Sequence, residues 1–259
     1  MDEPVIAAAV WGFVAASALP IGALAAKWRM FTPRTIGAIL AFGAGTLISA
    51  VTFELVEQAF RRADIWPVVI GLGLGATTFT AGDAAVVRFG GRRHRGKGMS
   101  DRPPAPQAAG GDDNANDDGG LPILLGAVLD GIPESLVLGI TLATGDAVSI
   151  TFVVAVFVSN VPESLAATRG MLAMGSSARA VLILWLSVAV MSGVFAAIGA
   201  MLDGLDQTIV AVVQSFAAGA LLALIADSLL PDAYRDSGLR TGLFVVLGFA
   251  LAFALTSLD

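Results

Sequence analysis

Five residues able to hold a cation or a proton recur at short spacing inside two apolar runs of this 259-residue chain. Asp130 and Glu134 lie in "LDGIPESLVLGI", residues 129–140, and Ser159, Asn160 and Glu163 lie in "VSNVPESLAATR", residues 158–169. On a helix, Asp130 and Glu134 share a face at i,i+4. So do Ser159 and Glu163, with Asn160 and Glu163 at i,i+3. A carboxylate deep in an apolar segment is costly, and by default it marks a path or a site for charge. Each Glu also follows a proline, Pro133 or Pro162. A proline within a helix removes one hydrogen bond and crowds the carbonyl four residues back, here Leu129 or Val158. In lipid such a carbonyl must find a partner or line a polar cavity. Carboxylates beside loosened carbonyls make a negative, oxygen-rich nest. A divalent cation would neutralise the acids and use the carbonyls.

The surrounding sequence shows what must position these groups. It is 56% hydrophobic and 14% charged, with mean hydropathy +0.81, whereas soluble domains have about 25% charged residues. The apolar residues come in runs of about 20, enough for a helix to cross a bilayer. Eight such runs are predicted, near residues 4–26, 35–58, 66–88, 120–143, 147–168, 178–202, 207–231 and 239–258. The expected fold is an all-α integral membrane protein. Spans 1–3 fall within residues 1–88 and spans 4–8 within 120–259, forming one membrane domain. Met1-Asp2-Glu3-Pro4 is acidic where a signal peptide is basic, so the first run is expected to be a retained span. Residues 89–119, "GGRRHRGKGMSDRPPAPQAAGGDDNANDDGG", cannot bury apolar surface and are expected to be a disordered loop.

Lys and Arg set the orientation. With eight spans, thirteen of the fifteen basic residues fall on one side, leaving only Arg61 and Arg62 on the other. The 89–119 loop is then cytoplasmic and both termini are outside. An internal repeat fits the same count. Residues 41–60, "AFGAGTLISAVTFELVEQAF", align without gaps to 215–234, "SFAAGALLALIADSLLPDAY". Phe42 meets Phe216, Gly45 meets Gly219, Leu47 meets Leu221 and Leu55 meets Leu229. The two Pro-Glu-Ser-Leu stretches repeat as well. Spans 2 and 7 would cross in opposite directions, as would 4 and 5. That is the pattern of an inverted-repeat transporter, spans 1–3 related to 6–8 around a central 4–5 pair.

Together these features resemble the ZIP (Zrt/Irt-like) divalent metal transporters. The likeness rests on eight spans with both termini outside, a long cytoplasmic loop after span 3, Pro-Glu motifs in spans 4 and 5, and "AAGALLALIADSLLPDAY" in span 7. Typical members read His-Asn-x-Pro-Glu-Gly in span 4 and His-Glu-x-Pro-Glu-Gly in span 5, with ligands at the first, second and fifth positions. Carried over, these positions are Asp130, Gly131 and Glu134, then Ser159, Asn160 and Glu163. Both histidines are replaced, Gly131 offers no side chain, and Ser135 and Ser164 stand where glycine is usual. Span 6 carries no acid for a second metal, so a single-metal site is expected. The resemblance implies uptake of a divalent cation into the cytoplasm across a bacterial-type plasma membrane, zinc foremost, and implies a homodimer. Imidazole suits zinc, whereas carboxylate and amide oxygens suit harder ions such as manganese, although zinc also accepts carboxylates. Manganese, iron and other divalent ions therefore stay open. The metal is cargo; no prosthetic group and no nucleic acid is called for.

Secondary candidates lie near span ends. Glu54 and Glu57 in span 2, and Asp227, Ser228 and Asp232 in span 7, would be outer and inner waypoints for a cation, or acids reaching headgroup water. Other function classes find little support. There is no cysteine, and the one histidine, His94, lies in the loop, so no His-Glu-x-x-His helix exists. Thr80 breaks the Gly-x-Gly-Asp setting that an intramembrane aspartyl protease needs before Asp83. Gly91-x4-Gly96-Lys97 is followed by Gly98 where a phosphate loop needs Ser or Thr. A metal sensor that does not transport is the alternative left by the missing histidines.

Overall fold

The computed structural model describes residues 3–26, 32–88, 120–143, 150–173, 175–201 and 206–256, without the side chains of 86–88, 120–130 and 143. The expected loop 89–119 lies outside the described residues. Within them all regular structure is helical. The rods are α1 (Glu3–Ala25), α2 (Pro33–Arg62), α3 (Ile65–Arg88), α4 (Gly120–Ala143), α5 (Ile150–Ala173), α6 (Ala178–Ala200), α7 (207–237) and α8 (Thr241–Thr256).

The ends have local causes. Thr32 and Ser177 cap α2 and α6, their side chains accepting from Thr35 N and Ala180 N at 3.2 Å. Asp206 caps α7, accepting from Thr208 N at 2.8 Å, and that bond holds its carboxyl below the usual range. α1 is hitched at Ser17, where Pro20 cannot donate to Ala16. Two rods outrun their apolar segments. α2 continues to Arg62 through the Glu57–Arg61 ion pair at 2.6 Å, and α7 continues to Ser237 through Asp232–Arg235 at 3.0 Å. Pairs at i,i+3 and i,i+4 sustain a helix in water. Gly238, at φ 64°, then ends α7.

Six stretches among the described residues are long and apolar enough to cross a membrane: Glu3–Ala25, Pro33–Arg62, Ile65–Ala85, Ile150–Ala173, Ala178–Ala200 and Gln207–Thr256. A shorter apolar stretch, Gly131–Leu142, belongs to α4.

The rods pack as two groups. In one, α6 lies against α1 and α4, and α1 also lies against α5; in the other, α3 lies against α7 and α2 against α8. Contacts of α2 with α5 and of α4 with α7 join them. α4 and α5 touch each other only briefly, so the direct face-to-face pairing expected from the sequence is replaced by a shared centre that α1 and α6 help to close. Trp185 Nε1 donates to Thr168 Oγ1 at 2.9 Å, tying α6 to α5, and Arg169 Nε donates to the Ala26 carbonyl at 3.3 Å.

Glycine sets the closest approaches. Gly75 of α3 lies against the Phe216 carbonyl of α7, and Gly248 of α8 against the Phe42 carbonyl of α2. Gly219 meets the Leu72 carbonyl of α3, and Gly45 the Val245 carbonyl of α8. Without a driving force between apolar surfaces in lipid, such small-residue contacts are what lets helices associate. Gly73 offers a control within the same helix, because nothing lies within 4 Å of a Cβ built there. Gly75→Ala is expected to lose about 1–3 kcal/mol through overpacking, whereas Gly73→Ala should be neutral or gain up to about 1 kcal/mol of helix propensity. Thermal unfolding of the two variants in one detergent checks this; equal midpoints would refute it.

Candidate metal-binding site

The two Pro-Glu motifs lie within unbroken helices, Pro133 inside α4 and Pro162 inside α5. Their serines explain part of the local geometry. Ser135 Oγ donates to the Gly131 carbonyl at 2.6 Å, and Ser164 Oγ donates to the Asn160 carbonyl at 2.8 Å. Each hydroxyl thus occupies a carbonyl two residues before its proline, at matching positions of the two motifs. Ser164 is also pressed against Gly22 of α1, where any larger residue would collide with it.

Glu134, Asn160 and Glu163 line one cavity of about 440 Å³ including its open mouth. α4 contributes Gly131, Glu134 and Ser135, and α5 contributes Asn160 and Glu163. Gly12 of α1 and Ser192 of α6 supply further wall. Glu134 is buried, at 6% exposure, and Asn160 at 9%. The Asn160 carboxamide donates a hydrogen bond to the Glu134 carboxylate, and Glu163 is close enough for its charge to act on Glu134. Two like charges near one another in a place with little water need a cation or a proton between them. The apolar wall, which includes Leu19, Leu138, Phe152 and Val156, strengthens every electrostatic interaction inside it.

The remaining sequence candidates fall elsewhere. Asp130 is in α4 one turn before Glu134, and its side chain lies outside the described residues. Ser159 is buried against the Gly43 backbone of α2 and donates to the Val156 carbonyl at 2.9 Å; it is not part of the cavity wall. Glu54 is buried in α2 and accepts from Gln58 Nε2 at 3.1 Å. Glu57 pairs with Arg61 and Asp232 with Arg235. Asp227 and Ser228 are partly buried in a π-helical turn of α7, Ile225–Leu229. Among the described residues no three His, Cys, Asp or Glu side chains converge. Gly12 and Ser192 went unnoticed in the sequence, because one glycine and one serine in apolar helices carry no periodic signal.

Donor chemistry is oxygen throughout: two carboxylates and a carboxamide, with the Ser192 hydroxyl in the wall. Glu134→Gln keeps an acceptor for Asn160 and is expected to stay within about 1 kcal/mol of the parent in stability. Glu134→Leu orphans the buried Asn160 amide and should cost about 1–3 kcal/mol. Both should weaken divalent-metal binding at least tenfold, about 1.4 kcal/mol. Thermal unfolding together with calorimetric metal titration in detergent separates the two effects. A Gln variant that binds metal like the parent would remove Glu134 from the site.

Comparison with known proteins places the chain in a family. No curated protein matches the chain. The family model for the ZIP zinc transporter matches residues 93–256, well over half of the sequence and including both Pro-Glu motifs. Two acids, Glu134 buried and Glu163 half-buried, line one cavity in an apolar helical bundle, and the chain belongs to the ZIP zinc transporter family.

Proposed function

We propose that the protein carries a divalent metal cation into the cytoplasm through a site between α4 and α5. The carrying observation is that Glu134, Asn160 and Glu163 line one cavity in a chain of this family. Glu134 and Glu163 supply the charge, Asn160 orients Glu134 and offers its carboxamide oxygen, and Asp130 and Ser159 flank them in α4 and α5. Zinc is the favoured cargo because of the family. Manganese, iron and other divalent ions stay in range because no imidazole is present.

This reading includes eight spans. A 50-residue run such as Gln207–Thr256 would be about 75 Å long as one rod, more than twice a bilayer core. Gly238 divides it, and α4 supplies the other span. The basic residues then put the 89–119 loop in the cytoplasm and both termini outside, with residues 1–88 and 120–259 forming one membrane domain.

Several observations support an inverted repeat. Gly45 and Gly219 occupy matching positions, and each meets a carbonyl of the helix that the repeat makes equivalent, α8 or α3. Phe42 and Phe216 offer their carbonyls to Gly248 and Gly75 in the same way. The π-helical turns Val51–Val56 and Ile225–Leu229 begin at positions that the gapless alignment pairs. On opposite halves of the membrane they make Glu54 with Glu57, and Asp227 and Ser228 with Asp232, outer and inner waypoints; π-turns of this kind recur at functional sites. Movement of the α1/α4/α5/α6 group against the other would expose the site to each side in turn. The family resemblance also favours a homodimer.

Purified protein in liposomes holding a metal-sensitive dye provides the test, with zinc, manganese, cadmium and magnesium offered outside. Zinc is expected to enter at least tenfold faster through the parent than through a Glu134→Ala, Glu163→Ala double variant. Equal rates for every ion would refute transport through this site.

A further inference from the structure

Gln214 is a wholly buried polar side chain of α7, and neither its Oε1 nor its Nε2 has a hydrogen-bond partner. A buried carboxamide left this way costs free energy for each unpaired group, so its presence in an apolar rod needs a reason. Its surroundings supply one. Arg62 Nη1 donates to Gln207 Oε1 at 3.0 Å, which fixes the end of α2 against the start of α7. One turn deeper, Ala59 and Ala211 pack in one cluster. Gln207, Ala211 and Gln214 follow at spacings of four and three, so they share one helix face. The antiparallel register therefore sets Gln214 at the level of Leu55, within the π-helical turn Val51–Val56 that carries Glu54. An adjoining face of α7 packs on α3, since Val212, Ser215 and Phe216 meet Gly71 and Gly75.

At that level the α2 side is also polar. Glu54 is 7% exposed, and Gln58 donates Nε2 to it at 3.1 Å while its own Oε1 is buried and unpartnered. Glu54 and Gln58 lie one turn apart on one face. A π-turn widens the helix and shifts its carbonyls from their usual partners. One carboxylate and two carboxamide oxygens thus lie at one level of the α2–α7 contact, beneath the Arg62–Gln207 pair. Leu55, Val137 and Leu138 belong to the apolar core that packs on the same helices, and Leu138 also walls the Glu134 cavity.

The geometry points to a second cation station, formed by Glu54, Gln58 and Gln214 between α2 and α7, that holds a partly hydrated divalent metal apart from the Glu134/Glu163 cavity. It rests on the proposed transport function and adds to it. The ligand set is all oxygen with one negative charge, so it suits a hard ion that keeps some of its water. Binding there is weaker than at the two-carboxylate site, which gives the cation a downhill step inward. Gln214 is the diagnostic residue, because replacing an unpaired buried amide by an apolar side chain of similar size removes a liability to folding.

The test counts metal bound to the protein in lipid nanodiscs, by equilibrium dialysis against manganese and against zinc. In the parent, two equivalents are expected, one at least tenfold weaker. Glu134→Gln with Glu163→Gln should remove the tight equivalent and keep the weak one. Adding Gln214→Leu should abolish the weak one while the unfolding temperature holds or rises, and Gln214→Glu should tighten it about tenfold. In liposomes Gln214→Leu alone should raise KM about tenfold with kcat within about twofold. A double Gln variant that binds nothing, from a parent that binds one metal, overturns the station and leaves the transport site standing. A weak equivalent that survives Gln214→Leu also overturns it and makes Gln214 a water-binding residue. A parent that binds no metal overturns both readings.

Discussion

Two glutamates must share one small cavity inside an apolar bundle, and much of the described architecture follows from that. Neither Glu134 nor Glu163 could stay charged in contact with hydrocarbon, where a carboxylate costs several kcal/mol at least. Glu134 is buried and Glu163 half-buried among their neighbours. α4 is covered by α6 and α1, and α5 by α1 and α2. The Asn160 amide takes one Glu134 oxygen. Trp185 bonds to Thr168, and this fixes α5 against α6 at a distance from the cavity. Such supports matter because a cation site loses affinity when its ligands swing freely.

Close packing follows one rule in both groups. α2, α3, α7 and α8 approach through glycine against carbonyl, as α1, α4, α5 and α6 do at Gly22, Gly139, Gly193 and Gly199. An aromatic set, Phe53 with Phe249 and Phe253, adds contact between α2 and α8, with centroids 6.2 and 5.0 Å from Phe53. In lipid, van der Waals contact and short-range polar attraction are what remains to hold helices together. The outcome is two groups joined by backbone approaches, the α2/α3/α7/α8 group and the α1/α4/α5/α6 group that surrounds the cavity. On the proposed mechanism, the first would be the rigid frame and the second would carry the cargo.

Much of this was legible in the sequence. Apolar runs gave rod positions to within a few residues, since length and hydropathy alone decide what can sit in a bilayer. Glu134, Asn160 and Glu163 were legible because a carboxylate after a proline in an apolar run has no packing purpose. Other features were not. α2 and α7 run past their apolar segments on ion pairs that hydropathy does not register. Ser159 shares a helix face with Glu163 by spacing, yet it is spent on its own helix and on Gly43; spacing gives a face and not a neighbour. The wall residues Gly12 and Ser192 come from helices distant in sequence, and only packing joins them to the site.

The serines after each Pro-Glu pair show how a departure from the family pattern can be neutral for the site and informative about it. Ser135 and Ser164 replace glycine, but their hydroxyls turn back onto their own helices, to Gly131 and Asn160. A hydroxyl bonded to a carbonyl four residues back tends to bend a helix, and here such a bond lies beside each proline. The two hydroxyls are thus spent on their own helices. Loss of the histidines is a different kind of change. Ser159 keeps a polar atom but directs it to Val156, and no described side chain restores a nitrogen donor to the cavity. With the carboxylates retained and the imidazoles gone, charge and oxygen number, rather than softness, are left to choose the ion. On the proposed reading that shifts the balance of affinities toward harder cations and keeps zinc, which binds carboxylate oxygens well, in range.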